Sequence, residues 1–225
     1  MDAEAWDERY REKRLVWSAE PNQFVEQEAA DLPPGRALDL AAGEGRNAIW
    51  LARRGWDVEA VEFSPVAIDK GRELAAHAEV EVTWTLADLT DAPELQLADL
   101  VLLAYLHLPR PAADEVLRHA ASLVRPGGTL LVVAHARRNL TEGHGGPEDP
   151  AILAEPDEVV AALAGTGLEV EHAGEVTRTV ATDEGPRDAI DVLVRARRCT
   201  SAGGRRSRSA VRGASAPRTQ ELSGQ

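Results

Sequence analysis

The chain has 225 residues, of which 44% are apolar and 28% charged, with a formal net charge of −13. That length suits about one domain with a sizeable core, and a single cysteine, Cys199, excludes an intramolecular disulfide framework. No apolar run approaches the ~20 residues of a membrane-spanning helix, and the acidic start Met1-Asp2-Ala3-Glu4 lacks the basic and apolar regions of a signal peptide, so a cytoplasmic protein is expected.

Arg36 to Ala41 reads as a first strand running into a glycine-rich turn. Asp57 to Glu62 reads as a second, followed by Ser64-Pro65 as N-cap and first residue of a helix. Val80, Val82, Trp84 and Leu86 alternate at period two and mark a third strand. Leu100 to Leu103 and Leu130 to Val133 are apolar at consecutive positions, as strands covered on both faces should be. Between them, Ala113, Val116, Leu117, Ala120, Ala121 and Val124 form one helical stripe. Pro156 opens a further helix that Gly165 and Gly167 close. Leu168 to Val180 and Arg187 to Arg197 form a last strand pair around Gly185-Pro186, with Ile190, Val192, Val194 and Ala196 on one face. Alternating strands and helices imply an α/β fold, with a parallel sheet covered on both faces and an antiparallel edge. From Cys199 to Gln225 the chain carries five arginines and one acid and has no apolar periodicity, so residues 199–225 are expected to be a disordered tail and residues 1–198 the domain. That leaves residues 1–198 at −17, a charge that disfavours nucleic acid and anionic membrane as partners.

The segment Asp39-Leu40-Ala41-Ala42-Gly43-Glu44-Gly45-Arg46-Asn47-Ala48 places glycines where a backbone can approach a ligand and where a helix offers free N–H groups. Gly43, Gly45 and Ala48 match a dinucleotide fingerprint, with Glu62 where a ribose-binding acid belongs. Asp39, however, opposes a pyrophosphate and welcomes a cationic amino group or sulfonium. Asp88 follows the third strand, and Arg125-Pro126-Gly127-Gly128-Thr129-Leu130 leads into the fifth. In this order the features resemble class I S-adenosylmethionine-dependent methyltransferases. An NAD(P)-dependent oxidoreductase and a non-catalytic protein that binds S-adenosylmethionine or S-adenosylhomocysteine remain as alternatives.

Within that class, Trp6-Asp7-Glu8-Arg9-Tyr10, Trp17, Pro21-Asn22, the Gly43 to Ala48 turn, Tyr105-Leu106-His107-Leu108-Pro109 and Gly145-Gly146-Pro147 are similar to the small-molecule methyltransferases of the tellurite-resistance and thiopurine type. Ala42 stands where such relatives often have Cys, and Glu62 where they often have Asp. The resemblance implies a doubly wound, Rossmann-like, seven-stranded sheet of order 3-2-1-4-5-7-6 with strand seven antiparallel. It also implies S-adenosyl-L-methionine as cofactor and a small acceptor such as a thiol or chalcogen oxyanion, in a monomer or homodimer. Asp39 and the backbone from Ala41 through Gly43 to Gly45 and Arg46 would hold the methionine end. Glu62 would take the ribose, Phe63, Asp88 and Leu89 the adenine, and Ala104 and Tyr105 would lie beneath the sulfonium. Trp17 and Asn22 would belong to a helical lid, residues 1–34; Trp17 fits a plain core aromatic equally well.

Of six histidines, His107 and His135 fall at the carboxyl ends of strands, where open α/β sheets bind ligands. Each is a candidate general base or a structural residue. Arg137 and Arg138 follow as anion clamps or solvated charges. Positioning, with His135 and Arg138 orienting the acceptor, is the expectation. A lone cysteine with scattered histidines supplies no metal site.

Overall fold

A computed structural model describes residues 3–12, 15 and 20–200. Trp17 and residues 201–225 of the expected tail lie outside the described residues. The chain runs α1 (Ala3–Glu12), α2 (Gln23–Ala29), β1 (Arg36–Leu40), α3 (Arg46–Arg53), β2 (Asp57–Glu62), α4 (Pro65–His77), β3 (Thr83–Leu86), β4 (Ala98–Ala104), α5 (Ala112–Ser122), β5 (Val124–His135), α6 (Asn139–Glu142), α7 (Pro156–Leu163), β6 (Leu168–Thr182) and β7 (Gly185–Arg198). The strands form one seven-stranded sheet in the order β3-β2-β1-β4-β5-β7-β6. Pairs from β3 to β5 are parallel, and β7 is antiparallel to both β5 and β6. This is the doubly wound topology that the resemblance implies. Among the described residues, no helix is long and apolar enough to cross a membrane.

Local chemistry sets the helix starts. Ser64 accepts from the Ala67 N–H at 3.1 Å with Pro65 at the first position of α4, and Asn22 accepts from the N–H groups of Phe24 and Val25 to cap α2. Glu155 and Glu158 form a reciprocal capping box on α7. The pleat then sorts each apolar run between the two faces of the sheet. Val101, Leu103, Leu130 and Val132 pack with Val116 and Leu117 of α5 and Val159 of α7, whereas Leu100, Leu102, Leu131 and Val133 pack with Phe24 of α2 and Leu51 of α3. Burial on both faces is why β4 and β5 carry unbroken apolar runs.

The structure departs from the sequence reading at strand ends. β3 begins at Thr83 because Val80 finishes the preceding helix instead: its N–H donates to Ala75 O at 3.1 Å, after Glu79 turns left-handed at φ 54°. Leu86, at the sheet edge, is 60% exposed. The β6–β7 hairpin also outruns its neighbour. β5 pairs with β7 from Thr129↔Arg197 to His135↔Asp191, but β6 and β7 continue pairing to Thr182↔Gly185. The hairpin therefore projects past the carboxyl end of β5, the edge at which ligands bind in such sheets.

Candidate active site

The turn between β1 and α3 uses left-handed backbone at Ala41 (φ 56°), Gly43 (φ 57°) and Gly45 (φ 77°). Asp39, 1% exposed, lies directly beneath it. Its carboxyl accepts the Ala48 N–H, while Oδ2 is buried with no hydrogen-bond partner among the described residues. Burial pushes the carboxyl up to about 7, against the pull of the Ala48 N–H and Arg46. An orphaned buried carboxylate oxygen at this point suits a cationic ligand group. Glu62, at the end of β2, accepts from the N–H groups of Gly43 at 2.8 Å and Ser64 at 3.0 Å. Burial raises its pKa and these hydrogen bonds oppose the rise. Glu62 therefore holds the glycine turn in shape and also lines the adjoining cavity.

Gly45 also has a packing reason to be glycine. A Cβ there would stand 2.3 Å from Cη2 of Trp84 on β3, so its missing side chain makes room for that ring.

A cavity of about 200 Å³ opens beside the turn. Ala41, Glu62 and Phe63 form its floor, and Ala87, Asp88 and Leu89 close the side next to β3. Asp88 sits exposed at the rim, one oxygen accepting from the Thr90 N–H and hydroxyl. Helix α1 roofs the space with Trp6 and Tyr10. It is pinned to α4 by the Ser64 hydroxyl donating to Asp7 and the Lys70 ammonium donating to Tyr10 O. Trp6 and Tyr10 entered the sequence reading only through the resemblance, because helix roofing is a tertiary fact.

Tyr105, left-handed at φ 58°, follows Ala104 at the end of β4. Ala104 packs into the core against the α2–α3 face of the sheet. Tyr105 lines the first cavity and also a second, of about 220 Å³. Asn22 and Gln23 line the second beside Arg46, with His135, Arg178 and Thr179 opposite. Here a network converges on Asp191, a fully buried carboxyl of β7. Tyr105 OH donates to Oδ2 at 2.7 Å, Arg178 Nε donates to Oδ2 at 2.7 Å, and His135 Nδ1 lies 3.1 Å from Oδ1. Asn22 Nδ2 donates in turn to Tyr105 OH at 2.9 Å, and Asn22 N–H donates to Asn47 Oδ1. Burial would raise the Asp191 carboxyl, but His135, Arg178 and Tyr105 outweigh it and hold the group below the usual carboxylate range. Burial and the Asp191 charge push the Tyr105 phenol up. Burial lowers the Arg46 guanidinium, with Tyr105 and Asp39 opposing.

Four rings run between the cavities. Trp6 and His107 have centroids 5.8 Å apart, His107 and His135 5.6 Å, and Tyr105 and His135 4.4 Å. Burial, with His135 and Arg9 adding, lowers His107 to about 4, and its Nε2 is buried without a partner among the described residues. His107 is neutral at neutral pH and a weak proton acceptor.

Both expected arginine clamps are engaged elsewhere. Arg137 pairs with Glu155 and Glu158, and Arg138 with Glu142 and Glu175. Arg138 lies outside the lining of either cavity, whereas Arg178, which the sequence reading passed over, lines the second. Among the described residues no three His, Cys, Asp or Glu side chains cluster to hold a metal.

The family model for a methyltransferase domain matches residues 37–128. Those 92 residues are less than half of the chain, and over them it is similar to class I S-adenosylmethionine-dependent methyltransferases. The ubiquinone biosynthesis O-methyltransferase of Alkalilimnicola ehrlichii is 34% identical to the chain over 112 residues, 48% of this chain and 44% of that protein. The chain spans less than half the length of the first curated relatives it matches. Among solved structures, "Conversion of a Disulfide Bond into a Thioacetal Group during Echinomycin Biosynthesis" shares the fold at TM-score 0.72 and 22% identity, covering 89% of this chain and 93% of that one. TehB from Haemophilus influenzae shares it at TM-score 0.66 and 18% identity, covering 79% and 62%. S-adenosylmethionine is the cofactor of this domain class, and the bare Asp39 oxygen, the Glu62 carboxylate and the adjoining cavity fit it.

Glu62→Gln places an NH2 donor against one of two backbone N–H donors. It is expected to cost about 1–3 kcal/mol of stability and to weaken cofactor binding together with it. Thermal melts and calorimetry on the same sample check both; an unchanged melt would show that Glu62 does not shape the turn.

Proposed function

We propose that the protein transfers the methyl group of S-adenosylmethionine to a small acceptor enclosed in the cavity beyond Tyr105. The cofactor supplies an electrophilic methyl group on a sulfonium. Asp39 takes its amino group, the Ala41 to Gly45 backbone and Arg46 its methionine end, and Glu62 its ribose hydroxyls. Phe63, Leu89 and Asp88 take the adenine, the Asp88 carboxylate accepting from the amino group. Helix α1 and Asn22 keep water out, and alignment across Tyr105 supplies much of the rate. The carrying observation is the orphaned Asp39 oxygen beneath the turn, which invites a cation and repels a pyrophosphate. The acceptor is small because its cavity, about 220 Å³, falls below the roughly 300–1,000 Å³ of drug-sized sites. The −17 charge of residues 1–198 supports a small molecule over a nucleic acid, and a cytoplasmic monomer or homodimer is part of the same reading.

Calorimetry of the full chain with S-adenosylmethionine and with NAD tests the reading. Saturable binding of the first and none of the second is expected. Tight NAD binding without S-adenosylmethionine binding would overturn it in favour of an oxidoreductase.

A further inference from the structure

On the acceptor side, Asp191 is an acid buried within the apolar run of β7, and no role was read for it from the sequence. Its ionised carboxylate can only accept hydrogen bonds. The ring nitrogen facing it, His135 Nδ1, must therefore carry a proton. When His135 is neutral, Nε2 is then the bare nitrogen, in a residue that lines the acceptor cavity. Arg178 and Tyr105 also donate to Asp191, so the carboxylate is fixed from β6 and from the end of β4 as well as from β5. The charged and titratable groups around the pair are thus Arg178, Tyr105, Arg46 and His107. His107, stacked between Trp6 and His135, is a poor rival for the proton.

We infer that His135 is the general base of methyl transfer, that Asp191 is the positioning residue setting its tautomer, and that the acceptor therefore enters with its nucleophilic hydroxyl still protonated. The inference rests on the methyltransferase reading and reverses the expectation that His135 only orients a soft anion. In the step, the acceptor's O–H proton passes to His135 Nε2. The released oxygen electron pair forms the bond to the methyl carbon, and the carbon–sulfur bond breaks with its pair going to sulfur. The sulfonium becomes a neutral thioether. The imidazolium is paired by Asp191 until solvent takes the proton.

Two readouts on the full chain test this. Nitrogen-15 spectra of histidine-labelled, cofactor-free protein at neutral pH, with His135 assigned through His135→Gln, report the tautomer directly. A protonated Nδ1 and bare Nε2 are expected, giving way to a mixture in Asp191→Asn. The second readout is methyl transfer to phenol and thiophenol, similar in shape, at a mildly alkaline pH where phenol keeps its proton and thiophenol is mostly thiolate. His135→Gln and Asp191→Asn are each expected to lower kcat for phenol by about 10²–10⁴-fold and for thiophenol by less than about tenfold. If Asp191→Asn does not fold, His135→Gln carries the kinetic comparison and the wild-type spectrum carries the tautomer. A protonated Nε2 in the wild type, or equal losses with both probes, would overturn the proposal. If neither probe is methylated by protein that binds S-adenosylmethionine, the tautomer decides. Failure to bind S-adenosylmethionine at all defeats the methyltransferase reading, and calorimetry detects that independently of the spectrum.

Discussion

Asp39→Asn is expected to abolish S-adenosylmethionine binding while stabilising the cofactor-free protein above neutral pH. The Asp39 carboxyl is buried under the glycine turn and stands at about 7 rather than 3.8, chiefly because burial penalises its charge. A carboxyl raised on folding contributes stability that is fully present below its unfolded pKa and is lost as pH rises through the folded value. For Asp39 the loss runs from about pH 4 to pH 7 and amounts to at most about 4 kcal/mol. Asparagine removes that loss, so the apo variant should melt about 5–10 °C above wild type in mildly alkaline buffer. The same ionised carboxylate offsets the cofactor's amino group, so wild-type affinity should fall up to about tenfold per pH unit below about 7. Calorimetry and melting across about pH 6 to 8 check both effects. Binding by Asp39→Asn within about threefold of wild type, with no gain in melting temperature, would show that Asp39 does not hold the cation.

The second large effect concerns packing. Gly45→Ala forces a Cβ to within 2.3 Å of the Trp84 ring, and it does so at φ 77°. Strain at left-handed backbone costs about 1 kcal/mol and overpacking about 1–3 kcal/mol more, so a loss of roughly 2–4 kcal/mol is expected. A Cβ on Gly71 of α4 would stand 2.1 Å from the same ring, so the indole is held between two glycines and cannot swing toward α4 to escape. In a Trp84→Ala background only the backbone strain remains, and the cost of Gly45→Ala should fall to about 1 kcal/mol. Urea unfolding of the four proteins in this cycle reads the coupling directly. An equal cost in both backgrounds would show that the approach to Trp84 does not set the cost.

The sheet was largely legible because its signals are local. Ser64-Pro65 and Pro156 mark helix starts by capping chemistry, and the runs at Leu100 and Leu130 mark strands buried on both faces. Strand order came from the resemblance, since spacing alone does not say which strands pair. Val80 misled because apolar alternation does not distinguish a strand's first residue from a helix's last turn. The residues proposed for the cofactor, Asp39, Gly43, Glu62 and Asp88, were also placed at strand ends by that order. The acceptor side was not. His135 and Asp191 are 56 residues apart and meet only through the antiparallel register of β5 with β7. An acid interrupting the apolar run from Ala189 to Val194 was the available signal, and Arg178 left none. Arg138 is near His135 in sequence, yet it precedes α6 and pairs with Glu142 and Glu175.

The most direct test of the account is whether the purified full chain converts S-adenosylmethionine to S-adenosylhomocysteine when offered small acceptors by class: phenols and other hydroxyls, thiols, carboxylates and chalcogen oxyanions. Acceptor-dependent product is expected, greatest with a protonated hydroxyl. Tight S-adenosylmethionine binding with no S-adenosylhomocysteine from any class would contradict it and leave a protein that binds the cofactor without using it.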